Sequence, residues 1–166
     1  ERPTGIRNDA GRCRNERLFK YMYGSTPAEV RKQLVKVPWN GSYVLFSKVN
    51  GAAAALAAVN RELQQHPELK KYLVSSGTFN WRYIRGTKRL SSHAFATAID
   101  IGVAKYADYW KNSGLSEAST QLVYRNRMPL ELAKIFEKHG FIWGGYWYHY
   151  DTMHFEYHPE IIAANP

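Results

Sequence analysis

The segment from Leu90 to Gly102 reads Leu-Ser-Ser-His-Ala-Phe-Ala-Thr-Ala-Ile-Asp-Ile-Gly, and the rest of the chain can be interpreted around it. It places two residues of metal-binding type, His93 and Asp100, among small and apolar side chains. Burying a carboxylate without a partner is costly, so we expect Asp100 to have one. A metal ion is one candidate, and an ordinary hydrogen bond to a histidine is the other.

The spacing of His93 and Asp100 restricts how the two side chains can meet. In an unbroken strand they would point to opposite faces, because the step between them is odd. In an unbroken helix they would lie about 10 Å apart along the axis, whereas a metal–ligand bond is only about 2 Å long. The chain must therefore bend if they share an ion, and the small residues from Ala94 to Ala98 leave room for a bend. We expect His93 on a loop that enters the strand carrying Asp100.

The composition indicates one folded domain. The chain has 166 residues, of which 45% are hydrophobic and 22% are charged, as in globular proteins with a substantial core. No apolar run approaches the roughly 20 residues that a membrane-spanning helix needs. The single cysteine, Cys13, excludes an internal disulfide framework and a zinc site built from cysteines. A start at Glu1 fits a processed secreted protein and also a trimmed chain.

The net charge of +9 predicts an anionic partner. Nucleic acid, acidic lipid and bacterial wall polymer all qualify, and a solvated basic face without a partner is the alternative. Positive charge is densest at the start of the chain, where the first 36 residues include nine arginines and lysines. Residues 1–24 show no periodicity, so we interpret them as a basic N-terminal arm lying over a domain that comprises residues 25–166.

Local signals predict three helices. Thr26 is followed by proline and, three residues on, by Glu29, which is the pattern of a capped helix N-terminus. Asn50 is expected to cap a second helix over about residues 51–65. A third helix is expected between Met128 and Gly140, because its apolar residues have helical spacing and glycine commonly ends a helix.

Short strands are predicted between these helices. Val37 to Gly41 has the composition of a turn, and Ser42 to Phe46 is expected to form the strand that follows it. Tyr72 to Ser76 is expected to form another strand, which leads into a loop over Gly77 to Ser92. Helices mixed with short strands, without regular alternation, predict an α+β fold: a single domain with a small, mostly antiparallel sheet flanked by helices.

Further residues of metal-binding and catalytic type lie in the segment from Phe141 to Tyr157. It reads Phe-Ile-Trp-Gly-Gly-Tyr-Trp-Tyr-His-Tyr-Asp-Thr-Met-His-Phe-Glu-Tyr. With the earlier histidine and aspartate, His154 makes a set of two histidines and one carboxylate that leaves a zinc position open for water. Asp151, three residues earlier, is then a candidate base. Glu156 would share a strand face with His154, so it could orient the His154 ring.

Three groups of residues together resemble the D-alanyl-D-alanine carboxypeptidase-like zinc peptidases. They are Ser91-Ser92-His93 followed by Asp100, the run Gly140-Phe141-Ile142-Trp143-Gly144-Gly145 with Trp147, and Asp151-x-x-His154-Phe155-Glu156. That family includes the vancomycin-resistance dipeptidases, bacterial L-alanyl-D-glutamate peptidases and several phage endolysins, and its fold is shared with the Hedgehog signalling domain. The resemblance covers about Asn50 to Tyr157.

The resemblance implies roles for the residues that match the family motifs. The zinc ligands would be His93, Asp100 and His154, and the catalytic carboxylate would be Asp151. An arginine upstream of the first histidine assists the substrate in this family, and we assign that role to Arg82.

Substrate contacts are expected from Ser91, Arg85, Tyr146 and Trp147, with Arg85 also the second candidate for the assisting arginine. The chain departs from the family pattern at two positions. Ala96 stands where the family usually has the glycine that tightens the bend, and Tyr146 stands where it often has aspartate. Neither position is a ligand, so we expect both to affect specificity.

The implied function is zinc-dependent hydrolysis of peptide bonds in peptidoglycan stem peptides or cross-links. We expect a monomer that acts on wall peptides and anionic wall polymer, either in the periplasm, as a secreted protein or as a phage endolysin, without nucleic acid or a membrane span. Thermolysin-like, serine-hydrolase and penicillin-binding signatures are missing. A non-catalytic zinc-bearing module of the same fold is the alternative, and nucleic-acid binding rests on charge and aromatic residues alone. The bond that is cleaved stays open.

Overall fold

Two antiparallel sheets and five α-helices form the part of the chain that the computed structural model describes, which is Asp9, residues 14–103 and residues 105–164. Short 3-10 turns connect several of these helices and strands. In chain order the elements are α1 (Glu16–Tyr23), α2 (Pro27–Arg31), β1 (Leu34–Trp39), β2 (Ser42–Ser47), α3 (Ala52–Leu63), β3 (Ser75–Gly77), β4 (Ala98–Ile101), α4 (Leu130–Lys138), β5 (Phe141–Trp143), β6 (His154–Tyr157) and α5 (Pro159–Ala164).

The sheets are small. Strands β1 and β2 form a hairpin, and the second sheet has the order β3-β4-β6-β5 with every neighbouring pair antiparallel. The predicted α+β class, with a small antiparallel sheet flanked by helices, is confirmed. Among the described residues, no helix has the length and apolar character needed to cross a membrane.

The hairpin corrects the turn that was predicted over Val37 to Gly41. Only Asn40 and Gly41 form the turn, and both have positive φ, at 47° and 80°. This is the geometry of a type I′ turn, whose twist matches the flanking strands. Val37 is instead a buried residue of β1, and Pro38 pairs with Tyr43 across the hairpin. Proline is tolerated there because a two-stranded sheet consists of edge strands.

The helix predictions are confirmed at α2 and α4 but wrong at the start of α3. The Thr26 hydroxyl accepts a hydrogen bond from the Glu29 N–H at 3.2 Å, as a helix cap should. Asn50 lies instead inside a 3-10 turn with φ of 54°, and the cap position of α3 belongs to Gly51. Strand β3 is also shorter and later than predicted, because residues 67–72 form a 3-10 turn.

The main core lies between the larger sheet and helices α3 and α4. Its centre is formed by fully buried side chains that include Leu56, Phe136, Phe141 and Phe155. The rings of Phe136 and Phe155 stack with centroids 4.0 Å apart. Each such side chain contributes on the order of 1.5–3 kcal/mol through burial, so β4 and β6 rest on a rigid base.

A second cluster packs the start of the chain against the Leu90–Gly102 segment. Helix α1 had no predicted counterpart, since residues 1–24 were interpreted as an arm without periodicity. Its Phe19 and Tyr23 are buried against Leu90, Ala94 and Phe95. An eight-residue helix is too short to reveal its period. Apart from Asp9, the residues before position 14, including the cysteine, lie outside the described part of the chain.

Candidate metal centre and active site

The chain bends between His93 and Asp100, as predicted. His93 lies in a 3-10 turn over Ser92–Phe95, and Asp100 lies on β4. The bend is at Ala96, whose φ of 53° and ψ of 39° are left-handed. It brings His93 Nε2 to 3.1 Å from Asp100 Oδ1.

The pairing of β4 with β6 adds His154 to this pair. Asp100 and His154 are directly opposite each other in the register of the two strands. His154 Nδ1 is 2.9 Å from the same oxygen, Asp100 Oδ1. One ligand atom from each of the three residues therefore lies within 4.8 Å of the others. The structure thus brings together the three residues predicted as ligands.

The other ring nitrogens are held by neighbouring oxygens. His93 Nδ1 donates to the Thr78 carbonyl at 2.9 Å, because a carbonyl can only accept. His154 Nε2 is 3.2 Å from Ser92 Oγ and 3.4 Å from a Glu156 carboxylate oxygen, Oε2. Such contacts orient histidine ligands in metal sites.

The donor set fits a divalent metal better than it fits hydrogen bonding alone. His93 Nε2 is buried and, despite its proximity to Asp100, makes no hydrogen bond within the described part of the chain. Two imidazole nitrogens and one carboxylate oxygen are ligands that zinc accepts while keeping a position open. The residues present could therefore hold such an ion.

The electrostatics of the cluster are those of a buried anion between histidines. Burial raises the pKa of Asp100, but the hydrogen bond with His154 and the proximity of His93 outweigh burial and hold that pKa well below its usual range. Burial lowers the pKa of His154, while its hydrogen bonds with Asp100 and Glu156 prevail and raise this pKa to about 10. A cation bound at His154 Nδ1 would replace the proton that this nitrogen shares with Asp100.

Asp151 lies on the loop that leads into β6 and points a carboxylate oxygen into the protein. Its N–H donates to the Gly144 carbonyl at 3.0 Å. A Cβ at Gly144 would be 2.5 Å from the Asp151 carbonyl oxygen, so glycine is needed for this close approach. Asp151 Oδ1 is buried and has no hydrogen-bond partner among the described residues.

Burial sets the acidity of Asp151. Burial raises its pKa to about 7, and the charges of His154, His93 and Arg82 only partly oppose this increase, which the Asp100 charge reinforces. A carboxyl group that titrates near neutral pH is well matched to proton transfer. Such perturbed groups cluster at functional sites.

A cleft beside this cluster contains most of the residues predicted to contact the substrate. Arg82, Arg85, Ser91 and Trp147 line it, together with Asp100, Asp151 and His154. The Trp147 ring centroid is 5.5 Å from that of His154. Arg82 and Asp100 also line a second depression, together with His93.

Tyr146 is not brought into this cleft. Its ring packs against Trp143 at a centroid distance of 5.0 Å, beside the main core. Burial raises the pKa of Tyr146, and the charge of Glu137 on α4 adds to this effect. The side chain therefore lies on the helix side of the sheet, and the expected substrate contact has no support in its position.

Sequence reasoning missed two residues near the start of the chain. Arg14 lines the cleft and is buried beneath Glu156. Asp9 is buried against His149, which lies two residues before Asp151. The Asp9 carboxylate accepts a hydrogen bond from the His149 N–H at 3.1 Å and contacts His149 Nδ1 at 2.6 Å. No local pattern marks partners that are separated by some 140 positions.

Comparison with known protein families shows what the segment containing this site is similar to. Residues 85–157 match the family model described as D-alanyl-D-alanine carboxypeptidase. The matched segment is similar to that peptidase family. It covers less than half of the chain but contains the cluster of two histidines and one aspartate as well as Asp151. The match supports a peptidase of the D-alanyl-D-alanine carboxypeptidase-like type, a family that is generally metal-dependent.

The family match confirms the resemblance seen in the sequence. No curated protein and no solved structure gives a significant match to the chain. The individual roles of the peptidase's ligands, base and substrate contacts stay predictions, supported by the geometry described above.

Proposed function

We propose that this peptidase is zinc-dependent and hydrolyses peptide bonds in the stem peptides or cross-links of peptidoglycan. The observation that carries the proposal is the convergence of His93 Nε2 and His154 Nδ1 on Asp100 Oδ1, at 3.1 and 2.9 Å, beside the unpartnered carboxylate oxygen of Asp151. A purely structural cluster would have no need to leave buried polar atoms of two neighbouring residues without hydrogen bonds.

In this proposal, His93, Asp100 and His154 hold the ion. When bound, zinc would supply Lewis acidity that polarises the scissile carbonyl and makes water easier to deprotonate. The Thr78 carbonyl keeps the proton of His93 on Nδ1, so that Nε2 faces the ion. Glu156 and Ser92 act in the same way on Nε2 of His154.

Asp151 is the proposed general base and acid. It accepts a proton from the water that attacks the carbonyl carbon, and a C–O bond forms. It then gives that proton to the amide nitrogen as the C–N bond breaks, so the products are an amine and a carboxylic acid, which ionises to a carboxylate. The raised pKa of this carboxyl group, about 7, suits both steps.

The positive charge of the arginines in the cleft favours an anionic substrate. Arg82 would donate hydrogen bonds to the developing oxyanion or to a substrate carboxylate, and Arg85 lies along the same cleft. Trp147 provides a flat apolar wall next to His154. Peptides of the bacterial wall carry carboxylates and face the compartment where a periplasmic, secreted or phage-delivered enzyme acts.

The test compares zinc content and cleavage in one preparation of Asp151→Asn. Zinc is measured by mass spectrometry, and products of purified peptidoglycan are identified the same way. We expect zinc to stay near one per chain and turnover to fall by at least about 10²- to 10⁴-fold, the usual contribution of general base catalysis. His93→Ala should lose the zinc. Asp108→Asn makes the same exchange outside the cleft lining and should retain both properties.

Two results would contradict this assignment. Cleavage within a few-fold of wild type in Asp151→Asn would exclude it as the base, and joint loss of zinc and activity would make it a ligand or a structural residue. Zinc and wall binding without any cleavage by the wild type would instead support the non-catalytic module.

A further inference from the structure

Arg14 lies ahead of the family-matched segment and is buried next to the proposed ligands. Its side chain is 1% exposed, and its Nη1 is 3.7 Å from Glu156 Oε2. Its Nη2 donates to the Leu90 carbonyl. The guanidinium also lies over two aromatic rings, with its carbon 5.4 Å from the centroid of Phe19 and 5.6 Å from that of Phe95.

Glu156 connects this arginine to a proposed ligand. Its side chain is also 1% exposed, and the oxygen that faces Arg14 is the one 3.4 Å from His154 Nε2. Its other oxygen, Oε1, is 3.6 Å from His158 Nε2 and has no hydrogen-bond partner among the described residues. Arg14, Glu156 and His154 therefore form a continuous buried series.

The same arginine also holds the loop that leads to His93. Leu90 precedes the Ser91-Ser92-His93 turn, and both of its backbone polar groups are bound by the start of the chain. Its carbonyl accepts from Arg14, and its N–H donates to a Glu16 carboxylate oxygen at 2.9 Å. Both elements that carry a proposed histidine ligand, the turn and β6, are thus tied to one guanidinium.

We propose that Arg14 is a positioning residue of the peptidase site: it neutralises the buried Glu156 carboxylate and so fixes His154 in the orientation that a metal ion needs. This inference rests on the proposed function. The physical reason is that a buried carboxylate requires compensating charge. Without Arg14, the ion-pair partners of Glu156 in the described part of the chain would be His154 and His158, and its hold on His154 Nε2 would change.

A merely structural role predicts something different. Arg14 also packs on Phe19 and Phe95, so its replacement could simply loosen α1. If it acts through Glu156, its effect on metal affinity must disappear once Glu156 carries no charge. If it acts through packing, the effect must persist in that background.

The experiment is therefore a double-mutant cycle of Arg14→Met and Glu156→Gln in the full chain. Metal-free protein is titrated with Zn²⁺ against a chromogenic chelator, and unfolding in urea is followed in parallel. We expect Arg14→Met to weaken zinc binding by about 10- to 100-fold, the usual effect of residues that support metal ligands. Adding it to Glu156→Gln should weaken binding no further. Arg17→Met, an exposed neighbour on α1, should bind zinc like wild type.

Each outcome decides a different question. A wild type that binds no zinc removes the proposed function and this inference with it. Zinc binding by the wild type with unchanged affinity in Arg14→Met overturns the inference alone, as does an equal loss in both backgrounds. If Arg14→Met does not fold, the cycle is run with Arg14→Gln, which also removes the positive charge but keeps a polar side chain, and the same rules apply.

Discussion

One carboxylate oxygen organises the proposed metal centre at the scale of single residues. Asp100 Oδ1 contacts His93 Nε2 and His154 Nδ1, while each ring's other nitrogen faces its own oxygen partner. Each imidazole is therefore oriented from both sides. A metal would meet a preformed set of lone pairs once a single proton has left His154.

Metal uptake should depend on pH because of that proton. The pKa of His154 is raised to about 10, so the protonated form dominates at neutral pH. Zinc must displace a proton whenever the pH is below this pKa, and its affinity should rise about tenfold per pH unit between pH 6 and 8. Chelator competition at fixed ionic strength would measure this slope.

A variant of a histidine outside the cluster serves as the control for this pH dependence. His139 pairs with Glu62, away from the cluster, at 2.8 Å. The variant His139→Gln should keep the wild-type slope. Zinc affinity that does not change over this range would show that binding displaces no proton, and His154 would then not be the ligand.

The bend at Ala96 is the decisive feature at the scale of secondary-structure elements. The 3-10 turn and β4 meet there, and the Ala96 carbonyl accepts from the Ser47 N–H of β2 at 2.9 Å. A left-handed conformation costs a non-glycine residue about 1–2 kcal/mol. This explains physically why glycine would suit the position.

The bend predicts that glycine has different effects on stability at Ala96 and at Ala94. In Ala96→Gly, relief of backbone strain offsets the lost methyl group, so the free energy of unfolding should change by less than about 1 kcal/mol. Ala94 is equally buried but has no positive φ. Ala94→Gly should therefore cost about 1–2 kcal/mol more than Ala96→Gly. Urea unfolding of both variants tests this, and equal losses would contradict the strain.

Surface charge belongs to the scale of the whole molecule. A net charge of +9 should draw the protein to anionic wall polymer, and this attraction should be screened by salt. The Debye length falls from about 10 Å at 0.1 M to about 3 Å at 1 M. Binding to isolated sacculi should therefore weaken several-fold over this range.

The location of that charge can be tested with exposed lysines. Lys32 and Lys36 lie in the basic first part of the chain, whereas Lys70 and Lys71 lie after α3. Changing Lys32 and Lys36 to glutamate should reduce sacculus binding at low salt more than the same change at Lys70 and Lys71. Equal effects would indicate a response to net charge only, and salt-independent binding would indicate a shaped groove instead.

The sequence by itself indicated that His93, Asp100 and His154 could meet at the site. Spacing required a bend between His93 and Asp100, and strand periodicity placed Glu156 on the same side of β6 as His154. These inferences succeeded because a step along a strand or across a short turn fixes the direction of a side chain. The fold class followed from the same local signals.

Only the tertiary structure decided which distant groups support the site. Arg14 lines it, and Asp9 contacts the cleft residue His149, both from outside the family-matched segment. Tyr146 turns towards the core although its neighbour Trp147 faces the cleft. A buried carboxylate such as that of Glu156 needs a counter-charge wherever one can be supplied. Local periodicity carries no information about which cation supplies it, because that depends on how the whole chain packs.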